Sequence, residues 1–329
     1  MKILYAAQNN LSAKIQLSRF LEKMKDSSHT IKIAAYKNSS PKNVPINWTL
    51  NYLSNDDLPR LSSKVTSNLK IYYDQVKYYK PDLIISDMEV FTNHVGNLLN
   101  ITTWQCSSAL LNFGLERNYN LGFYKKFFFL SKKNEDHYIQ RQTNFIVNSN
   151  KNFIYSHFGD MKLPPDIKKN FEWIRPYHSI GKISKLCHHN LVAGLVKNNK
   201  KIITLLRHYN DSVAFTDFLH EKYTNLILKD INNQAEFFCN LKNSNLFICE
   251  GQTSFLADAY YNNKHAIIFS DFQDTESAFN GLLSKKYSTG TIVYNITDSL
   301  DFLNGKDIID NPYNNKVPYL HQKIEEIFE

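Results

Sequence analysis

The sequence predicts an α/β chain made of two doubly wound halves, each opening on a β-loop-α-β unit. Three observations predict it. The chain begins on a short apolar run, Lys2-Ile3-Leu4-Tyr5-Ala6-Ala7, followed by a polar turn, a segment of helical apolar spacing and a second apolar run. The same kind of opening recurs at Lys201-Ile202-Ile203-Thr204-Leu205-Leu206. The length, 329 residues, suits two domains of ordinary size, each with its own core.

In chain order, Gln8-Asn9-Asn10 reads as the first turn. Residues 12–25 read as a helix, with Ile15, Leu17, Phe20, Leu21 and Met24 at helical spacing. Residues 31–36 read as the second strand. Residues 41–59 read as loop. Residues 61–79 read as a helix that stops at Lys80-Pro81, because the residue before proline is driven out of the helical region. Residues 82–86 read as a parallel core strand with Asp87-Met88-Glu89 at its C-terminal end. Residues 92–99 read as a helix and 102–106 as the next strand. Residues 145–148 and 152–155 read as strands finishing the first sheet. The run from Arg175 to His189 reads as a linker between the halves. In the second half, residues 213–219 and 235–241 read as helices, and residues 226–228 and 291–294 as strands. Residues 319–328 read as a terminal amphipathic helix started by Pro318.

Composition bounds the function. Cys106, Cys187, Cys239 and Cys249 lack CxxC spacing, which argues against a zinc or redox pair and for a reducing, cytoplasmic compartment. The N-terminus runs straight into a strand, so no signal peptide is expected. No apolar run approaches the roughly 18 residues of a membrane span, so a soluble or at most peripheral protein is expected. The formal net charge of +8 favours a polyanionic partner, nucleic acid or an anionic membrane face, and is equally what an Asn/Lys-rich proteome produces.

The most informative stretch is Cys249 to Leu283. The apolar run Asn245 to Cys249 leads into the turn Glu250-Gly251-Gln252-Thr253-Ser254, and Phe255 to Tyr261 reads as the helix that follows. Residues 264–269 read as a second buried strand. A polar loop, Ser270 to Glu276, leads to a second helix starting near Thr275. A helix start offers N–H groups and a positive dipole end to phosphate. Asp258 lies one turn beyond Ser254, where a carboxylate can accept from ribose hydroxyls. The acceptors of the second loop suit a sugar. Diphosphate, ribose and hexose together make a nucleotide sugar. Thr253 and Ser254 acting as plain helix caps are the simpler alternative.

On these residues the stretch resembles the donor-binding half of GT-B glycosyltransferases, nearest to the N-acetylglucosaminyltransferase that completes lipid II (family 28-like) and to an archaeal and bacterial transferase group. The family order is a Gly/Ser/Thr turn, a Glu on the next helix, a Pro-containing strand, an acidic-Gln or Gln-Gln pair, and Asn-Ala. Here these are Gly251-Gln252-Thr253-Ser254, Asp258, a strand lacking the Pro, Asp274 and Glu276-Ser277, and Asn280-Gly281. The sugar-holding Gln is replaced by Glu276 or Ser277. The opening Lys2 to Tyr5 and the run Ser86-Asp87-Met88-Glu89 resemble the archaeal and bacterial group. There a Gly-rich loop ends in His; here Lys14 stands at the His position, and the glycines are lost. Lys14 can still neutralise phosphate as a point charge.

The resemblance implies two Rossmann-like domains facing each other across a crevice: residues 1–177, acceptor-binding and joined by a terminal helix 316–329 crossing back, and residues 178–315, nucleotide-sugar-binding. It implies hexose transfer from a UDP-sugar to an acceptor hydroxyl, with inversion. No cofactor and no metal are expected beyond that co-substrate, since no DxD motif with strand signals appears. The expected donor residues are Arg207, Gly251, Gln252, Thr253, Ser254, Asp258, Asp274, Glu276 and Ser277. The expected base is Asp87, Glu89 or His94, at or after a parallel strand's C-terminal end. Asp87 is preferred; its alternative role is to cap the following helix.

Residues 118–157 interleave aromatics with cations. Tyr119, Tyr124, Lys125, Lys126, Lys132, Lys133 and Arg141, with Lys14, are the expected acceptor contacts, rings against bases or lipid and cations on phosphates. A helix with an aromatic core face and a solvated lysine face is the alternative. DNA carrying a hydroxymethylated pyrimidine, as in phage DNA, is the favoured acceptor, narrowly ahead of an envelope lipid or glycan. Two further readings remain: a non-catalytic nucleotide-sugar-binding module, and a sugar-nucleotide epimerase of the same fold.

Overall fold

The structure is a computed structural model describing residues 1–7, 11–36, 46–50, 63–87, 89–107, 149–156, 171–178, 194–196, 200–205, 246–251, 253–269, 280–281, 283–284, 289–293 and 317–328. In chain order the described elements are β1 (Lys2–Ala7), α1 (Leu11–Lys23), β2 (Thr30–Ala35), β3 (Trp48–Thr49), α2 (Ser63–Tyr79), β4 (Leu83–Asp87), α3 (Val90–Leu98), β5 (Thr102–Ser107), β6 (Lys151–Tyr155), β7 (Phe171–Ile174), β8 (Gly194–Val196), β9 (Lys200–Leu205), β10 (Leu246–Glu250), α4 (Thr253–Tyr261), β11 (His265–Phe269), β12 (Gly290–Val293) and α5 (Leu320–Phe328). Two compact units emerge. The first comprises Met1–Ser156, Asp160–Arg175 and Val317–Glu329, and the second His157–Gly159 and Pro176–Lys316.

The first unit is a seven-stranded sheet in the order β3-β2-β1-β4-β5-β6-β7. Every pairing is parallel. Parallel strands need helical crossovers and end up covered on both faces, which is why β1 is buried from Ile3 to Ala7 and β4 throughout. On one face, Leu4, Ala6, Ala34 and Ile84 pack with Tyr72 and Val76 of α2 and Phe91 and Val95 of α3. On the other, the Tyr5 ring meets Phe20 of α1 at 5.0 Å. The terminal helix α5 belongs to this unit. Its Lys323 pairs with Glu172 of β7 at 3.1 Å, and the Arg175 N–H donates to the Pro318 carbonyl at 2.9 Å. The expected return of the chain's end to the first domain is therefore present.

The second unit holds a five-stranded sheet, β12-β11-β10-β9-β8. Strands β9 to β12 are parallel and β8 is antiparallel to β9. Helix α4 packs on β10 and β11 and is buried from Thr253 to Tyr260.

Both α3 and α4 end in the same way. Asn100 and Asn263 take the left-handed conformation, with φ of 54° and 53°. The following N–H groups, of Ile101 and Lys264, reach back to the carbonyls of Gly96 and Ala259 at 2.9 and 2.8 Å. This is a Schellman closure, with asparagine in the position glycine usually fills. Lys80, before Pro81, takes a φ of 50° where α2 stops.

Three strands differ from the sequence reading. β3 is two residues long inside the stretch read as loop, β7 is a four-residue edge that includes Glu172 and Trp173, and β8 is a three-residue antiparallel edge. Such short edges are made by pairing with a neighbour and carry little pattern of their own. Helix α3 starts at Val90, two residues earlier than its apolar spacing suggested, because Glu89 caps it. The strand expected at 145–148 and the elements expected between 206 and 245 lie outside the described residues. Among the described residues no helix is long and apolar enough to cross a membrane.

Helix α3 lies close on the sheet at Gly96. A Cβ there would meet Thr103 Cγ2 at 2.6 Å and Ile84 Cδ1 at 2.9 Å. Alanine gains about 1 kcal/mol in helix propensity but costs about 1–3 kcal/mol when it overpacks a filled core. Thr103 is β-branched and yields little. Gly96→Ala is expected to lower the midpoint of thermal unfolding. A midpoint at or above that of the unsubstituted protein would show that α3 can back away from the sheet freely.

Candidate functional site

In the second unit the donor stretch forms as strand, turn and helix. β10 ends at Glu250, Gly251 is buried, and α4 starts at Thr253. Thr253 and Ser254 therefore lie in the helix's first turn, two residues earlier than the reading that began the helix at Phe255. By helix geometry, first-turn N–H groups have no carbonyl partner inside the helix. Ser254 and Asp258, four apart, share a face of α4, and both are buried, at 0% and 1% exposure. A carboxylate covered to this degree must be held by polar partners.

One residue ties the turn to the chain beyond it. The Asn280 amide Nδ2 donates to the Gly251 carbonyl at 2.7 Å and to Thr253 Oγ1 at 3.2 Å, all within buried surroundings. Ser284, four residues on, donates to the Asn280 carbonyl at 2.6 Å and meets the Tyr260 hydroxyl of α4. The sequence offers Asn280-Gly281 only as a motif match, without a role. Nothing in the spacing of Asn280 along the chain marks it as the partner of a turn 29 positions earlier. Gln252, Arg207, Asp274, Glu276 and Ser277 lie outside the described residues.

In the first unit the three candidate bases have different surroundings. Asp87 is the last residue of β4, at the C-terminal edge of the sheet, and is 4% exposed. Tyr5 donates its hydroxyl to Asp87 Oδ2 at 3.0 Å. Glu89 is the N-cap of α3: its carboxylate accepts from the N–H groups of Phe91 at 3.2 Å and Thr92 at 2.7 Å. Burial pushes the Glu89 carboxyl above its ordinary range, against the pull of the Thr92 hydroxyl and the two N–H groups. The cap role offered to Asp87 as an alternative thus falls to Glu89. Ser86 Oγ donates to the Glu89 carbonyl and closes the turn between them. His94 is exposed on α3. The structure brings Asp87 and Glu89 to one strand end.

Lys14 lies in the first turn of α1; its side chain, like Tyr119, Tyr124, Lys125, Lys126, Lys132, Lys133 and Arg141, is outside the described residues. A buried polar group that the sequence reading missed sits between α3 and the sheet. Asn93 Nδ2 donates to Gln105 Oε1 at 3.1 Å and to Ser149 Oγ at 2.5 Å, and beside Gln105 in the register lies Asn152, whose buried amide has no hydrogen-bond partner among the described residues. Among the described residues no three His, Cys, Asp or Glu side chains gather as a metal set.

No family model and no curated sequence matches the chain. Solved structures do. The SsfS6 glycosyltransferase of Streptomyces sp. SF2575 matches over 100% of both chains, with a TM-score of 0.65 and 10% identity. A second structure of it, complexed with thymidine diphosphate, has a TM-score of 0.63. The spinosyn forosaminyltransferase SpnP matches over 100% of this chain and 98% of its own, with a TM-score of 0.65 and 14% identity. The UDP-GlcNAc 2-epimerase from Neisseria meningitidis, bound to UDP-GlcNAc, matches over 100% and 99%, with a TM-score of 0.61 and 16% identity.

If Asn280 fixes the turn, Asn280→Ala leaves the buried Gly251 carbonyl without that donor. The expected cost is about 1–3 kcal/mol of folding free energy in denaturant titration. A variant as stable as the parent would mean the turn holds itself. Taken together, the whole-length matches and the two α/β units give this chain the GT-B fold, the fold shared by these glycosyltransferase structures.

Proposed function

We propose that the chain is a glycosyltransferase that moves a hexose from a UDP-sugar to an acceptor hydroxyl. The observation that carries this reading is the strand–turn–helix of the second unit, Gly251 to Asp258 latched by Asn280, in a chain that matches glycosyltransferases over its full length. The second unit holds the donor. In this reading the first-turn N–H groups of α4 with Thr253 and Ser254 take the diphosphate, Asp258 the ribose, and Arg207, Asp274, Glu276 and Ser277 the rest of the donor. The first unit holds the acceptor.

The reaction is one displacement. The acceptor oxygen bonds to the anomeric carbon as the bond from that carbon to the diphosphate oxygen breaks, so the configuration inverts. Asp87 takes the acceptor proton, and the nucleoside diphosphate leaves with the bonding electron pair. Helix N–H groups and cations neutralise the leaving group without a metal. Asp87 is preferred to Glu89, whose carboxylate is spent on capping α3.

The acceptor is DNA carrying a hydroxymethylated pyrimidine. What supports this is the +8 charge and the aromatic–cation interleaving of residues 118–157. An envelope lipid or glycan is the other acceptor compatible with that segment. An epimerase of the same fold is a second reading, favoured by the match to the UDP-GlcNAc 2-epimerase; it needs no acceptor.

Calorimetry of UDP binding checks the donor site. Asp258→Asn, which keeps the side chain's shape, is expected to weaken binding by about tenfold or more, the loss typical of a charged acceptor. Unchanged affinity would remove Asp258 from the site. Transfer from UDP-glucose to duplex DNA containing hydroxymethylcytosine, in excess chelator, is expected to proceed. Conversion of UDP-GlcNAc to its epimer without any acceptor would favour the epimerase instead. DNA binding is expected to weaken steeply with salt, as released counterions require. Binding that ignores salt would move the acceptor away from DNA.

A further inference from the structure

We propose that Tyr5 is the positioning residue of Asp87, its hydroxyl holding that carboxylate in the orientation from which it takes the acceptor proton. The inference rests on the reading of Asp87 as the base. It starts from the register. β1 and β4 run side by side in parallel, with Tyr5 opposite Ile85 and Ala7 opposite Asp87. Tyr5 and Asp87 therefore project from the same face, one pleat apart. The tyrosine side chain spans that step, and its hydroxyl lies 3.0 Å from Asp87 Oδ2. Tyr5 is itself immobilised: it is wholly buried, and its ring packs on Phe20 of α1. A donor fixed by packing in turn fixes its acceptor, which matters for an aspartate at the last position of a strand.

The neighbours keep that hydroxyl a donor. Burial, and then the Asp87 charge, push the Tyr5 phenol well above its ordinary range. Cys106 of β5 is opposite Asp87 on the other side, and burial followed by the same carboxylate pushes its thiol up as well. Both groups stay protonated while Asp87 changes charge. Among the described residues, the other titratable groups on elements packed around this face are Tyr155 and Lys151 of β6, Glu172 of β7, Lys14, Arg19, Glu22 and Lys23 of α1, and His321, Lys323, Glu325 and Glu326 of α5, which packs against α1. Lys151 and Glu172 are paired with each other at 3.1 Å. Sequence alone could not pair Tyr5 with Asp87, since 82 positions separate them.

The test is Tyr5→Phe, which keeps the ring against Phe20 and removes one oxygen. Two quantities are read: the titration midpoint of the Asp87 carboxyl by carbon-13 NMR, and steady-state transfer from UDP-glucose to hydroxymethylated duplex DNA, with hydrolysis of UDP-glucose as the acceptor-free readout. The expected result is an Asp87 midpoint shifted to higher pH, kcat down roughly tenfold, and KM for UDP-glucose unchanged. An Asp87 midpoint identical to that of the unsubstituted protein overturns the inference. A shifted midpoint with unchanged kcat upholds the Tyr5–Asp87 link and overturns the reading of Asp87 as the base. Asp87→Asn supplies the reciprocal measurement on the other partner: the Tyr5 phenol should then titrate at lower pH than in the unsubstituted protein, and an unmoved phenol counts against the link.

Discussion

Parallel pairing between β1 and β4 joins Ile3–Ala7 to Leu83–Asp87 in the middle of a sheet whose two faces are both covered by helices. Residues there have no water to satisfy them. Any polar group that the chain places in these strands must find a partner inside the fold or carry a cost. The polar residues of the first unit follow from that. Asp87 is met by Tyr5, Glu89 by the start of α3, and Gln105 by Asn93. They gather at the β4 terminus and along β5 because a parallel sheet brings the C-terminal ends of its strands to one edge. An edge of this kind combines a rigid floor with polar side chains held in fixed directions. These are the conditions a reacting group needs.

The second unit meets the same demand with a different device. Its turn after β10 is buried, so the Gly251 carbonyl is satisfied by a side chain from Asn280, 29 positions later. The same amide touches Thr253, and Ser284 ties the next turn of that segment to α4 through Tyr260. The turn is thereby held by side chains that come from further along the chain. In both units the helices that follow these strands close on asparagine in the left-handed conformation. A chain with 10 glycines among 329 residues uses asparagine at these two positions, since its short polar side chain tolerates that backbone better than most.

Much of the architecture was legible in the sequence because it is written in local pattern. Buried parallel strands are short continuous apolar runs, and Ile3–Tyr5, Leu83–Ile85 and Ala266–Phe269 read as such. The stop of α2 before Pro81 and the turn at Gly251 are equally local, set by the covalent geometry of proline and by the alternation of apolar and polar segments. The order of those segments was enough to specify two α/β units and a terminal helix.

What tertiary structure alone decided is which distant residues meet. The amphipathic pattern of α5 reserves a face, with Leu320 and Ile324, for burial but does not name its partner; α1 packs against α5 only after the chain returns, and Glu172 and the Arg175 backbone anchor the same segment with polar contacts. β3, β7 and β8 exist because a neighbouring strand offers hydrogen bonds, and their own residues carry no alternation long enough to announce them. The choice between Asp87 and Glu89 as the cap of α3 depended on which carboxylate the turn at Ser86 aims at the helix start. The sequence by itself determined that carboxylates would stand at the end of β4 and that a hydroxyl pair would open α4. The fold decided that Tyr5 and Asn280 would hold them, because hydrogen bonds across 82 and 29 positions are set by register and packing rather than by spacing along the chain.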